Sequence, residues 1–203
     1  MTEPSGPSWV SLDFGAREVV GVDIDPNLVT KAQSLLALRS SRRRPPTEDA
    51  ERLVDYFPLS AVLRYGHIPA PAPSPSSWPR VNFIAADWVL SNNPAVAGPY
   101  DFILALNVIK WIHLEHLDAG VATFFRRCNA SLASGGYLVI ELQTWDSYEK
   151  AVRSNAAPHF AENLARLKYQ PEISFPKLLQ DEGFNLCATS TQLRRQINIY
   201  RKA

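Results

Sequence analysis

The sequence predicts an α/β sandwich with a mostly parallel sheet, and three observations predict it. Apolar runs of strand length alternate with longer stretches whose apolar residues recur at helical spacing. The runs show little in-and-out alternation, as expected of parallel strands covered on both faces. Two of them end in an aspartate, Asp23 and Asp87, at the strand ends where open α/β sheets bind ligands.

The first strand is Arg17-Glu18-Val19-Val20-Gly21-Val22-Asp23, running into Ile24-Asp25-Pro26. Pro26 suits the first turn of a helix, and residues 27–39 form it with Leu28, Ala32, Leu35 and Leu36 near one face. Residues 40–79 differ in composition. They hold Arg42-Arg43-Arg44 and the extended Pro69-Ala70-Pro71-Ala72-Pro73-Ser74-Pro75. Within them, Tyr56 to Leu63 is apolar enough to dock on the body. The segment has too few apolar residues for a core of its own. The expectation is therefore one domain over residues 1–203 with a Pro/Arg-rich insertion at about 40–79.

Strands follow at 81–87 and 100–106, the second apolar enough to read as buried. Residues 117–132 form a helix with Val121, Phe124, Phe125 and Leu132 inward, stopped by Ser134-Gly135-Gly136. A strand at 137–141 and a helix at 175–182, ended by Gly183, come next. Residues 184–189 and 196–200 make a closing antiparallel pair.

The bulk numbers narrow the function. The 203 residues suffice for one domain with a sizeable core. A net charge of +1 excludes a global field that would draw the chain onto nucleic acid, so any polyanion contact is local. Cys128 and Cys187 have no metal-type spacing and read as reduced, buried thiols. His67, His113, His116 and His159 form no ligand cluster, so no metal is expected. Neither a signal peptide nor an apolar run of membrane-spanning length is present. The expectation is an intracellular protein, nuclear or cytoplasmic, with no membrane partner.

Three constellations carry chemistry. Asp23 and Asp87 end neighbouring strands, where an acid accepts hydrogen bonds from ribose hydroxyls or meets an adenine amino group, with Trp88 beside the ring. Each aspartate can equally cap the helix that follows. Asn107-Val108-Ile109-Lys110-Trp111-Ile112-His113-Leu114 puts a cation, an indole and an imidazole at the end of a strand, where they can hold a phosphate and stack on a base. A helix start with Trp111 packed inward and Lys110 solvated reads the same residues as well. Glu141-Leu142-Gln143-Thr144-Trp145-Asp146-Ser147-Tyr148 offers an acid, an amide, an indole and a phenol on one loop, either for stacking or as a lid packed on its own protein.

Taken in order, Gly21-Val22-Asp23-Ile24-Asp25, Asp87-Trp88-Val89-Leu90, Lys110-Trp111-Ile112-His113-Leu114, Phe125-Arg126-Arg127, Gly135-Gly136 and Glu141-x-Gln143-x-Trp145-x-Ser147-Tyr148 resemble the methylphosphate capping enzymes, the bicoid-interacting-protein type of RNA methyltransferase. The resemblance implies a Rossmann-like methyltransferase sandwich with an antiparallel C-terminal strand. It implies S-adenosylmethionine as methyl donor and the 5′-terminal phosphate of an RNA, such as a small non-coding RNA, as acceptor. Carried over, Asp23 with Asp25 holds the cofactor ribose, Asp87 and Trp88 the adenine, and Leu106 and Asn107 flank the methionine part. Lys110 and His113 act on the phosphate as the catalytic pair, and Trp111, Glu141, Trp145 and Tyr148 line the substrate side.

The family pattern also has a strand and a glycine-bearing loop of the type Asp-x-Gly-Cys-Asn-x-Gly ahead of the Asp-Ile-Asp strand. This sequence lacks it. Residues 9–14 cannot replace that strand, because four residues are too few for a parallel crossover. The first central strand is thus expected to be missing. Three outcomes follow: its neighbours pair directly, another chain donates a strand, or the sequence is a truncated product. The rival functions are a catalytically impaired RNA-end binder and a small-molecule methyltransferase on the same fold.

Overall fold

A computed structural model describes residues 16–42, 59–66, 80–154, 157–190 and 195–203. Most of the 40–79 insertion, including its proline run and residues 56–58, lies outside the described residues, as do residues 9–14. The chain divides into two compact units, Met1–Ser91 and Asn92–Ala203.

In the first unit, β1 (Glu18–Asp23) pairs in parallel with β2 (Arg80–Ala85), Glu18 opposite Arg80 and Asp23 opposite Ala85. The valines of β1 are half-buried rather than sealed on both faces. Helix α1 (Pro26–Arg42) starts at its proline as expected. Its inward face is turned from the one expected: Val29 is buried and Leu28 is 50% exposed, with Ala32, Leu35 and Leu36 half-buried. The N-cap of this helix is Asp25, not the Asp23 that the sequence offered as a cap. Its Oδ1 accepts the Asn27 N–H at 2.8 Å, and its carbonyl accepts the Val29 N–H at 3.2 Å. Asp25→Ala is expected to lower stability by about 1 kcal/mol, read from the midpoint of urea denaturation. The short helix α2 (Leu59–Tyr65) contacts α1, but Leu63, expected to dock on the body, is exposed.

The second unit holds β3 (Tyr100–Ala105), α3 (Ile109–Ser131), β4 (Leu132–Glu141), α4 (Trp145–Ser154), α5 (His159–Arg166), α6 (Pro171–Asp181), β5 (Phe184–Ser190) and β6 (Ile197–Lys202). Its sheet runs β3-β4-β6-β5, parallel between β3 and β4 and antiparallel elsewhere, so the C-terminal strand is antiparallel as the sequence implied. β1 and β3 lie in different sheets, so direct pairing of the two neighbours of the missing strand is not found among the described residues.

Two local expectations change. The β3 run is not buried: Phe102 is 61% exposed and Leu104 48%. β3 is the edge strand of its sheet, with β4 on one side, and apolar content alone does not supply a second neighbour. The helix read as beginning at Leu117 begins eight residues earlier, at Ile109, and Leu117 breaks it with φ +59° and ψ −167°. It also stops at Ser131, ahead of the expected glycine stop. The Lys202 Nζ, from β6, donates to the carbonyls of Asn129 at 2.7 Å and Leu132 at 2.8 Å. A cation there satisfies carbonyls that a helix end leaves bare.

The core of this unit forms where α3 and α6 cover the sheet. Val121, Phe124 and Phe125, together with Leu132, point inward as their spacing predicted. Phe125 and Phe175 meet edge to face at 5.7 Å, over Leu138, Ile140 and Leu179. Cys128 is buried with them, its thiol pushed well up by loss of water. Cys187 is exposed on β5, contrary to the expectation of two buried thiols. β5 ends its sheet, and its residues from Asn185 to Thr189 are exposed on both faces, Cys187 among them. Among the described residues, no helix is long and apolar enough to cross a membrane, and no group of three or more His, Cys, Asp or Glu could hold a metal ion.

Candidate functional site

The second unit gathers the Lys-Trp-x-His and Glu-x-Gln-x-Trp motifs around two loops, β3–α3 and β4–α4. Asn107 turns the chain out of β3 with φ +57°, a left-handed conformation that asparagine tolerates better than most residues. Gln143 fixes that turn from the opposite loop. Its Nε2 donates to Asn107 Oδ1, and its Oε1 accepts the Lys110 N–H at 3.2 Å. One buried amide thus ties the first turn of α3 to the end of β4.

Lys110 is only 8% exposed. Its Nζ donates to Ser147 Oγ at 3.0 Å and lies 4.9 Å from the Trp111 ring. Loss of water lowers its proton affinity, the nearby Arg195 lowers it further, and Glu141 pulls the other way. Trp111 is half-buried and packs against Phe160 of α5. Neither simple reading of the segment holds as stated: a helix does start here, yet its lysine is not solvated.

Glu141 ends β4, buried, and receives the Arg195 Nη1 at 2.9 Å. Trp145 opens α4 as part of a helix rather than a loop, its N–H given to Glu172 at 2.9 Å. Its ring stacks on Tyr148 at 5.6 Å and 14°.

Two of the expected contact residues are buried, with their polar atoms engaged inside the protein. His113 is completely buried, and both ring nitrogens are occupied, Nε2 by Asp118 at 2.8 Å and Nδ1 by the Tyr148 hydroxyl at 3.3 Å. In this arrangement neither ring nitrogen is left over for a further partner. Tyr148 is buried too and has no free face for a base; burial, reinforced by Glu172, pushes its hydroxyl proton affinity far up, so it stays a donor. The physical reason is helical spacing. Lys110 and His113 lie three apart on one face of α3, but Lys110 sits in the first turn, and His113, one turn further along, falls under Phe175. The pair His113–Tyr148 is a brace beneath Trp145.

Asp118 anchors this brace. Beside His113 it accepts the backbone N–H of Lys168 and Tyr169, at 3.0 and 3.1 Å. Desolvation would raise its proton affinity, but these three hydrogen bonds hold the carboxyl below the usual range.

The adenosine-side acids belong to the other unit. Asp23, at the end of β1, accepts the Asp25 N–H at 2.9 Å through Oδ1. Asp87 accepts the N–H groups of Val89 and Leu90 through its Oδ1, at 2.9 and 3.3 Å, and Trp88 is half-buried. Leu106 and Asn107 are exposed at the mouth of β3, in the second unit.

Sequence reasoning gave no role to Gln143 or Ser147, although both stand in the quoted motif; their even spacing with Glu141 was the available signal. Asp118 and Arg195 gave no signal beyond being charged.

The fold defines a class first. The chain aligns over 97% of its length with the structure of S-adenosylmethionine-dependent methyltransferase from Methanosarcina mazei, at a TM-score of 0.54, 13% identity and 88% coverage of that chain. The PH0226 protein of Pyrococcus horikoshii aligns over 97% of this chain and 76% of its own, at a TM-score of 0.54 and 16% identity. At such identities the likeness is one of fold alone, a Rossmann-like α/β sandwich. The family follows from sequence. The Bicoid-interacting protein 3 (Bin3) family matches residues 100–202, half of the chain, and the chain belongs to it. The 7SK snRNA methylphosphate capping enzymes of Mus musculus and Homo sapiens are 29% and 30% identical over 96% of this chain. The U6 snRNA methylphosphate capping enzyme Amus of Drosophila melanogaster is 27% identical over 86% of it and 49% of its own length. The chain spans about a third of the length of the mouse and human relatives, 34% and 32%.

Proposed function

We propose that this chain is an S-adenosylmethionine-dependent methyltransferase acting on the 5′-terminal phosphate of an RNA, a small non-coding RNA of the nucleus or cytoplasm. One observation carries the reading: Lys110, nearly buried, is held between Ser147 and the Trp111 ring at the end of a strand. A cation with so little water around it is relieved by an anion, and a terminal phosphate is an anion that suits a chain whose relatives are methylphosphate capping enzymes by name.

The residues present fit the adenosine half of the donor. Asp23 commits only Oδ1 to its turn, which leaves Oδ2 for ribose hydroxyls, and the Asp87-Trp88 pair offers an acid and a ring for adenine. Asp25 contributes by fixing the helix after Asp23 rather than by contact. Leu106 flanks the methionine part, with Asn107 shaping the loop. When bound, the donor supplies a methyl group already activated on a positively charged sulfur.

The rest is alignment. A phosphate oxygen is anionic near neutral pH, so the chain needs no strong base. Holding that oxygen in line is proximity and orientation. Lys110 binds and orients the phosphate, and Gln143 fixes Lys110's position from its main chain. Trp111 and Trp145 offer ring faces to the first base. His113 moves no proton at the substrate; it holds Tyr148 under Trp145.

The test is transfer of a labelled methyl group to 5′-phosphorylated RNA and to the same RNA dephosphorylated. Label is expected only in the first. Equal label in both overturns phosphate as the acceptor. A second reading, an RNA-end binder without transfer, is favoured by the sequence, which lacks the glycine-bearing loop of the family pattern. Calorimetric titration with S-adenosylmethionine separates the two, since a binder gives no heat.

A further inference from the structure

We infer that Arg195 is a second phosphate-contacting residue, which together with Lys110 makes the site selective for a terminal phosphate monoester over a hydroxyl end. This rests on the RNA-phosphate reading above and names what that reading leaves open: what counts the charges on the end.

Both cations hang on one short segment. Glu141, its side chain 8% exposed, holds Arg195 Nη1 at 2.9 Å. Two residues on, Gln143 holds the Lys110 main chain at 3.2 Å. Two residues of extended chain span at most about 7 Å, so the anchors of the two cations are neighbours. Their charges act on one another, since Arg195 and Glu141 shift the Lys110 amine in opposite directions.

The charge balance then asks for an anion. Arg195 and Lys110 together carry one positive charge more than Glu141 offsets. Arg195 uses one N–H donor on Glu141, while its side chain is 59% exposed. A guanidinium has five donors in a planar fork, so the remaining ones can grip phosphate oxygens without releasing Glu141. A phosphate monoester carries close to two charges at neutral pH, because its second ionisation lies near pH 6. A hydroxyl end carries none and an internal diester one. Glu141, expected to touch substrate, acts through Arg195 as a positioning residue.

The plain alternative is that Arg195 only balances the buried Glu141. Fluorescence anisotropy with the full chain separates them. The probes are one oligoribonucleotide carrying a 5′-monophosphate or a 5′-hydroxyl, and the proteins are wild type, Arg195→Gln, Arg195→Lys and the pair Glu141→Gln with Arg195→Gln. Wild type is expected to prefer the phosphate end. Arg195→Gln should cut that preference on the order of 10-fold, the worth of one charge-assisted hydrogen bond. Arg195→Lys should restore part of it. The double variant, which keeps a neutral hydrogen-bonded pair in place of the ion pair, should stay folded and still lack the preference. If the double variant keeps the full wild-type preference, Arg195 is a counter-ion only and the inference falls while the RNA-phosphate reading stands. If wild type itself shows no preference, the reading falls, and this inference with it.

Discussion

Lys110→Ala is expected to bind 5′-phosphorylated RNA on the order of 10- to 100-fold more weakly than wild type, with a flatter dependence on salt. The loss follows from where the charge sits. A lysine on open surface shares its work with solvent and neighbouring cations, whereas Lys110 is nearly buried and positioned twice, at Nζ by Ser147 and at its main chain by Gln143. Removing one phosphate contact from a single strand lowers the log–log salt slope by about 0.7. The main-chain bond to Gln143 survives the substitution, so the loop keeps its shape, and the change is one of charge. Binding isotherms at several salt concentrations check this. An unchanged slope would mean that Lys110 touches no phosphate.

The second large effect is on stability. His113→Ala is expected to cost about 3 kcal/mol, because it opens a cavity at a fully buried position and strands two polar partners, the Tyr148 hydroxyl and one oxygen of Asp118. The hydrogen bonds define the neutral ring: Nε2–H donates to Asp118, and Nδ1 accepts from Tyr148. Burial holds the imidazole below the ordinary histidine value of 6.5, against the opposing pull of Asp118. The sign of the pH effect follows. A base whose proton affinity is depressed on folding binds more protons unfolded than folded. Its contribution to stability is present in full above about pH 6.5 and drains away as pH falls below that value. Urea denaturation of wild type and His113→Ala at pH 7.5 and pH 5 should therefore give a smaller difference at pH 5. Asp118, whose proton affinity is also depressed, acts in a lower window, below its ordinary 3.8. A difference that grows on acidification would mean that His113 is charged in the fold.

The same histidine marks where sequence reading stops. The Lys-Trp-x-His spacing singled out a segment, but spacing could not say how far along α3 the cover of α6 would begin. Phe175 covers His113, whereas Lys110, one turn earlier and also buried, is held by Ser147 and Gln143 instead. The second motif went the same way: Trp145 keeps an accessible ring, whereas Tyr148, three residues along the same helix, is buried beneath it. Gln143 and Ser147 were legible as residues and not as roles, since their partners lie 33 to 37 residues away.

What the sequence by itself determined was local. Pro26 and Asp25 start α1, the glycine at 183 closes α6, the 3.6-residue period sets Val121, Phe124 and Phe125 on one face, and the closing strands run antiparallel. Each depends on groups within a turn or two, whose geometry the peptide chain fixes. The tertiary structure alone decided the rest: that β3 is an edge strand with Phe102 and Leu104 uncovered, that Lys202 ties off α3, and that Arg195 meets Glu141 across 54 residues. A residue's chemistry states what it can bond, but its partner is set by which surfaces pack, and packing joins segments that the order of residues keeps apart.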